Sequence, residues 1–348
     1  QTQTAQPSSR LTNINSSNMT SPSKRVLLLC IDGCRSECMA LFGQKLCKRF
    51  IEQPQSVYSF MCDVAAAKDS RAVSGPSWAT ILTGLGADEH KVTSNEPKAE
   101  VPESAPSIAQ TSEASRLELV LSTSWAGFRD ILRPPQEAQI HTFPLDGKDV
   151  QKWKSSTAQA STALKQAISK KLEDGGAALV VGFYDMIDEI GHTYGFGPHV
   201  PEYAAAVEFT AAECGSILDS LQAALLPDEE WLVVVISDHG GSCTDGLRKV
   251  CPGPFEEFEK DHLGSQQVKY KGVHGIESVP THRYVFNGFT KMSHHAGGAT
   301  ENSPDTSKMV LDYECLTSFD LAPTILGFLG HGDAVSKLPG RDVYAQSP

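Results

Sequence analysis

No apolar run in this chain approaches the 18 or so residues that a membrane-spanning helix requires, and no charged leader with an apolar segment precedes a cleavage site. A membrane span is therefore excluded from the reading. Basic residues are also in short supply, with 30 Lys and Arg against 42 Asp and Glu and a formal net charge of -12. That balance argues against a nucleic-acid polymer or an anionic membrane as the main partner, because both select for basic surface. A phosphate substrate stays compatible with it, since a bound divalent cation reverses the sign locally. Paired cysteine spacing is missing as well. The nine cysteines are odd in number and five of them fall within the first 62 residues, which reads as reduced, buried thiols and not as a disulfide framework. There is no internal repeat.

What is present is ordinary in bulk and specific in detail. A chain of 348 residues that is 40% hydrophobic and 21% charged has the composition of a globular protein, and its length suits one large α/β catalytic domain with insertions. Residues 1–24 are rich in Ser, Thr, Gln and Asn and are expected to be a disordered tail, leaving 25–348 as a single domain. Val233 to Ile236, four β-branched residues in a row, predict a strand buried on both faces, and Asp238, His239, Gly240 and Gly241 end it. The same order of strand then acid recurs where Val26–Ile31 runs into Asp32-Gly33 and where Ala177–Tyr184 runs into Asp185 and Asp188. Leu117–Leu121 and His282–Gly288 read as further strands. Helices are expected over Ser36–Phe50, Val150–Leu172, Tyr203–Leu226 and Thr317–Leu329, with Gly241–Gly272 mostly loop and Met292–Met309 a loop. The alternation predicts an α/β fold with a mostly parallel central sheet and helices on both faces.

In such a sheet ligands bind beyond the carboxyl ends of the strands. Asp238 and His239 sit side by side at one such end, and Asp188 and His192 stand four apart just after another. Each pair offers an oxygen and a nitrogen donor suited to zinc. Each also has a plainer reading, with the acid capping a turn and the histidine incidental. Asp188–His192 is either one helical turn or a loop bent at Gly191. His274 lies between Gly272 and Gly275, and His294-His295 is a rival pair in a Gly/Ser/Thr-rich stretch. Ser74-Gly75-Pro76-Ser77-Trp78 leads into a short helix, where a serine hydroxyl meets backbone N–H groups that also attract anions.

Taken in order, Asp32, Ser74, Asp188, His192, Asp238-His239 and His274 resemble the alkaline phosphatase superfamily, in particular its type I phosphodiesterase and nucleotide pyrophosphatase branch. The resemblance runs from about Val26 to Val343 and is carried by Leu29–Gly33 with Arg35, Val73–Trp78 through Gly84, Asp188–His192 with Tyr194-Gly195, Ser237–Gly240 and Asp320–Thr324. It implies an alkaline-phosphatase-like fold and two zinc ions, with manganese as the alternative. One ion would be held by Asp188, His192 and His274, the other by Asp32, Asp238 and His239. Ser74 would be the nucleophile at the second ion and a ligand of it. A coordinated divalent cation lowers the pKa of a hydroxyl, and two such ions about 4 Å apart clamp the attacking and leaving oxygens of a phosphoryl transfer.

The expected activity is hydrolysis of a small phosphate ester, a diester or pyrophosphate and in one version a nucleotide, through a phospho-serine intermediate. Gly75, Ser77 and Trp78 are expected to contact substrate: the Gly75 N–H and the Ser77 hydroxyl on a phosphoryl oxygen, the Trp78 ring lining the pocket unless it packs as core. Nucleotide pyrophosphatases usually carry Thr as nucleophile, where this chain has Ser74. The alternatives are a phosphomonoesterase of the same superfamily, a sulfatase-like hydrolase and a non-catalytic binding relative. Against the sulfatase, Trp78 stands where the serine-modifying sequence needs Arg, and Gly33 where a second acid is usual. Many relatives are secreted, whereas unpaired thiols and the missing leader fit a reduced interior, so the compartment is left open.

Overall fold

A computed structural model describes residues 22–66, 71–95, 101–170, 178–253, 256, 270–294 and 316–345. Its frame is a seven-stranded sheet built from β1 (Ser23–Ile31), β2 (Val57–Asp63), β3 (Arg116–Ser122), β4 (Gln139–Thr142), β5 (Ala178–Tyr184), β6 (Glu229–Ser237) and β9 (Tyr284–Ser293), in the order β2-β9-β6-β1-β5-β3-β4. The five strands from β6 to β4 are parallel; β9 runs antiparallel to both β6 and β2. Two-residue strands β7 (Ser242–Cys243) and β8 (Gly272–Val273) pair separately. β1 begins within the segment expected to be a tail, and residues 1–21 of that segment lie outside the described residues.

Strict alternation along the central strands sends side chains into two cores. Leu27, Leu29 and Ile31 of β1 and Val233 and Val235 of β6 face one side. There they meet α1 (Ser36–Phe42), α2 (Gln44–Ile51), α7 (Val150–Ser169) and α9 (Pro201–Ala224). Val26, Leu28, Cys30, Leu232, Val234 and Ile236 face the other, under α3 (Ser74–Thr83), α6 (Gly127–Leu132) and the helix Leu321–Leu329. The helix expected over Ser36–Phe50 is divided at Gly43, where an added Cβ would fall 2.2 Å from Met39 Sδ and 2.7 Å from its carbonyl oxygen. The short helices α4 (Ala87–His90), α5 (Ile108–Thr111) and α8 (Met186–Tyr194) complete the part of the fold used below.

Register puts the acids level. Ile31 pairs with Tyr184 on one side and Ser237 on the other, so Asp32, Asp185 and Asp238 each follow at the same edge. No described helix is long and apolar enough to cross a membrane.

Candidate functional site

Three buried strands end together at this edge and deliver three groups of donors. Asp32 leaves β1 and is buried, with Oδ2 accepting the Trp78 indole N–H at 2.9 Å. Asp238 and His239 leave β6, both wholly buried, and Asp238 Oδ1 accepts the Gly33 N–H at 3.1 Å. Asp188 and His192 lie on α8, which settles the question of loop or helix: at i and i+4 both face one side, and His192 Nε2 stands 3.2 Å from Asp188 Oδ2. His274 follows β8, with Nε2 3.2 Å from His192 Nε2 and 3.8 Å from Asp188 Oδ1. His294 sits beyond β9, at the end where Ser293 pairs with Glu230, the far edge of the sheet from Asp238, and His295 lies outside the described residues.

The histidines share one tautomeric pattern. His192 Nδ1 donates to the Gly272 carbonyl at 3.1 Å, His239 Nδ1 to the Gly240 carbonyl at 2.9 Å and His274 Nδ1 to the Ala72 carbonyl at 3.2 Å. Carbonyls accept only, so each neutral ring carries its proton on Nδ1 and turns the lone pair of Nε2 inward. The rings of His239 and His274 stack at 3.8 Å and 17°. Two groups have donor atoms all within 4.8 Å of one another: Asp188, His192 and His274, and Asp32, Asp188 and His239. Asp188 thus stands between the two clusters. Asp238 reaches the second with Oδ2 3.3 Å from His239 Nε2.

The electrostatics of this centre favour a cation. Burial and the charges of Asp238 and Asp188 push the Asp32 carboxyl well above its ordinary range, against the Trp78 hydrogen bond. Burial likewise pushes Asp238 up to about 6, with His239 and the Gly33 N–H opposing. Burial works against the His192 cation, yet the Asp188 carboxylate raises its pKa to about 9; burial opposes the Asp188 anion, and His192, His274 and His239 together hold it low. Asp188 Oδ1 and Asp238 Oδ2 are buried without a hydrogen-bond partner among the described residues. Converging lone pairs, mutually repelling carboxylates and two unsatisfied carboxylate oxygens fit divalent cations, and the all-oxygen-and-nitrogen donor set fits zinc.

Ser74 opens α3 and is buried, its hydroxyl 3.1 Å from His239 Nε2 and 3.4 Å from Asp32 Oδ1. Its neighbours depart from expectation. Trp78 does not line a pocket: it is 0% exposed, packed edge-on against Phe128 and Phe183, and its polar edge serves Asp32. A residue four positions into a helix points back over its own turn, and here that direction leads into the core. Ser77 is also buried, its hydroxyl donating to the Arg71 carbonyl at 2.8 Å. The Gly75 N–H donates to Asn95 Oδ1 at 2.7 Å. Asn95 went unread in the sequence because nothing local to it marks a polar loop residue as folding back twenty positions. The fold-back needs a glycine: a Cβ on Gly75 would lie 2.2 Å from the Ser94 carbonyl oxygen. Trp125, half-buried, braces the same loop with its indole N–H on the Asn95 carbonyl at 3.1 Å.

The family model described as type I phosphodiesterase / nucleotide pyrophosphatase matches residues 71–295. No curated protein matches the chain. Among solved structures it is similar to murine ectonucleotide pyrophosphatase / phosphodiesterase 5, an inactive form in complex with AMP, at 14% identity and a TM-score of 0.56 over 88% of this chain and 95% of that one. It is similar also to the soluble domain of lipooligosaccharide phosphoethanolamine transferase A from Neisseria meningitidis, at 14% identity and a TM-score of 0.53 over 89% and 88%. The 2-O GAG sulfatase BT1596 shares 13% identity at a TM-score of 0.53 over 89% and 71%. At such identities the likeness is one of fold.

Proposed function

The chain belongs to the type I phosphodiesterase / nucleotide pyrophosphatase family and is a phosphoric ester hydrolase, and on that premise we propose that it cleaves small phosphodiesters or pyrophosphates through a phospho-serine on Ser74. One catalytic domain, 25–348, carries the reaction. The observation that supports this reading is the position of the Ser74 hydroxyl, 3.1 Å from His239 Nε2 and 3.4 Å from Asp32 Oδ1, against the donor cluster that contains both. Asp188, His192 and His274 would hold one zinc ion and Asp32, Asp238 and His239 the other. Zinc bound there supplies a lowered hydroxyl pKa at Ser74 and charge compensation for the phosphoryl oxygens.

The chain's own groups account for the rest. Ser74 Oγ forms the new bond to phosphorus as the P–O bond to the leaving alcohol breaks; the serine proton passes to solvent and the leaving oxygen takes one back. Water then cleaves the phospho-serine and restores the hydroxyl. Asn95, whose Oδ1 accepts the Gly75 N–H next to Ser74, would offer its Nδ2 group as the donor to a phosphoryl oxygen in place of Ser77 and Trp78. The test is a comparison of bis(4-nitrophenyl) phosphate, 4-nitrophenyl phosphate and 4-nitrophenyl sulfate, with metal analysis of the unchelated protein. The diester is expected to turn over fastest, the sulfate not at all, and chelation to abolish activity until zinc is returned. Protein without bound transition metal, or sulfate hydrolysis above the diester rate, would overturn the reading.

A further inference from the structure

His282 is wholly buried at the end of the short helix Pro280–Arg283 and takes no part in the donor clusters. Its two hydrogen-bonding ends reach two separate segments of the centre. Ring Nδ1 accepts the N–H of Ile276 at 3.2 Å, two residues beyond His274. Its main-chain carbonyl accepts the N–H of Gly240 at 3.0 Å, the residue next to His239. His239 and His274 come from different strands, β6 and β8, and their rings are the pair stacked at 3.8 Å. We propose that His282 is the positioning residue that locks the His239 and His274 segments to each other, and so fixes the spacing of the metal centre.

Three observations carry the argument beyond ordinary packing. Because the backbone N–H of Ile276 is a donor, the ring nitrogen facing it is unprotonated, and the neutral ring bears its proton on Nε2. That Nε2 has no hydrogen-bond partner among the described residues. A hydrocarbon of the same size would avoid a buried unsatisfied donor, so what distinguishes a histidine here is the Nδ1 acceptor. The segment also lies closer than side chains allow: a Cβ on Gly240 would sit 2.0 Å from the Thr281 carbonyl oxygen, and Ser242 Oγ bonds Thr281 Oγ1 at 2.9 Å. The short helix before β9 is thereby held against Gly240 and Ser242, just past the end of β6.

This inference rests on the metal reading above, and its test separates the two. Purified full-length chain is stripped and titrated with zinc against a chromogenic chelator, as wild type, His282→Asn, His282→Leu and His282→Gln. Asparagine puts an acceptor oxygen where Nδ1 stood, leucine fills the space without one, and glutamine carries its oxygen one bond too far. Outer-shell contacts of this kind change metal affinity by about 10- to 100-fold, so His282→Leu and His282→Gln are expected to bind zinc at least about tenfold more weakly and His282→Asn within about threefold of wild type. Should leucine fail to fold, the contrast of Asn with Gln decides. Equal zinc affinity in wild type and His282→Gln, or equal losses in Asn and Gln, overturns the clamp alone. Wild-type protein that binds no zinc overturns the metal reading and the clamp with it.

Discussion

At the scale of single residues, Trp78 changes most between sequence and structure. Its indole N–H on Asp32 Oδ2 lies in the protein interior, where a hydrogen bond to a charged group is strong and its loss leaves a buried carboxylate oxygen unsatisfied. Trp78→Phe keeps a ring against Phe128 and Phe183 while deleting the donor. Zinc affinity is expected to fall by about tenfold, and the thermal transition of the metal-free protein to drop as well, because the smaller ring leaves a cavity and Asp32 Oδ2 loses its donor; unchanged affinity would show that the indole donor does not orient Asp32. Asp32, Asp188, Asp238 and His239 were legible because each follows a buried strand within a few residues, and His192 because it stands four residues after Asp188. Trp78 and Asn95 were not, because their partners lie 46 and 20 positions away, a relation that only the packed chain contains.

At the scale of elements, α3 and α4 are joined by a buried histidine. His90 Nε2 pairs with Thr80 Oγ1 at 3.1 Å and Nδ1 accepts the Val92 N–H at 3.1 Å. Burial, against the charge of Asp88, lowers its pKa from 6.5 to about 4. The folded pKa is below the unfolded one, so the unfolded chain takes up the proton first and stability drains away as pH falls from about 6.5 toward 4, by at most about 1.4 kcal/mol per pH unit for one group. Thermal unfolding followed from pH 7.5 to 5 should show this loss, and His90→Gln should flatten it; an unchanged slope would assign the loss elsewhere. β1, β3, β5 and β6 were legible as short apolar runs, and Gly43 explains the one helix read as continuous. β2 and β4 escaped notice because β2 is mostly half-buried and β4 is four largely exposed residues. What holds them is pairing to β9 and β3, which local pattern does not encode.

At the scale of the whole molecule, an acidic chain of net charge -12 gathers Asp32, Asp188 and Asp238 at one sheet edge and there handles an anionic substrate. Bound cations would reverse the local sign there, and the attack of Ser74 on phosphorus proposed above depends on that reversal. Parallel register brings the acids together, so the location of the site was legible once the alternation of strands and helices was; the acceptor role of Asn95 and the clamp by His282 depend on loops that return to the edge. The most direct measurement is the rate of bis(4-nitrophenyl) phosphate hydrolysis by Ser74→Ala at saturating zinc, with the zinc content of the same sample determined. Full zinc occupancy is expected, with a rate lower by roughly 10⁴-fold or more, as nucleophile removal does in serine hydrolases. A near-wild-type rate at full occupancy would contradict it, because the attacking group would then not be Ser74.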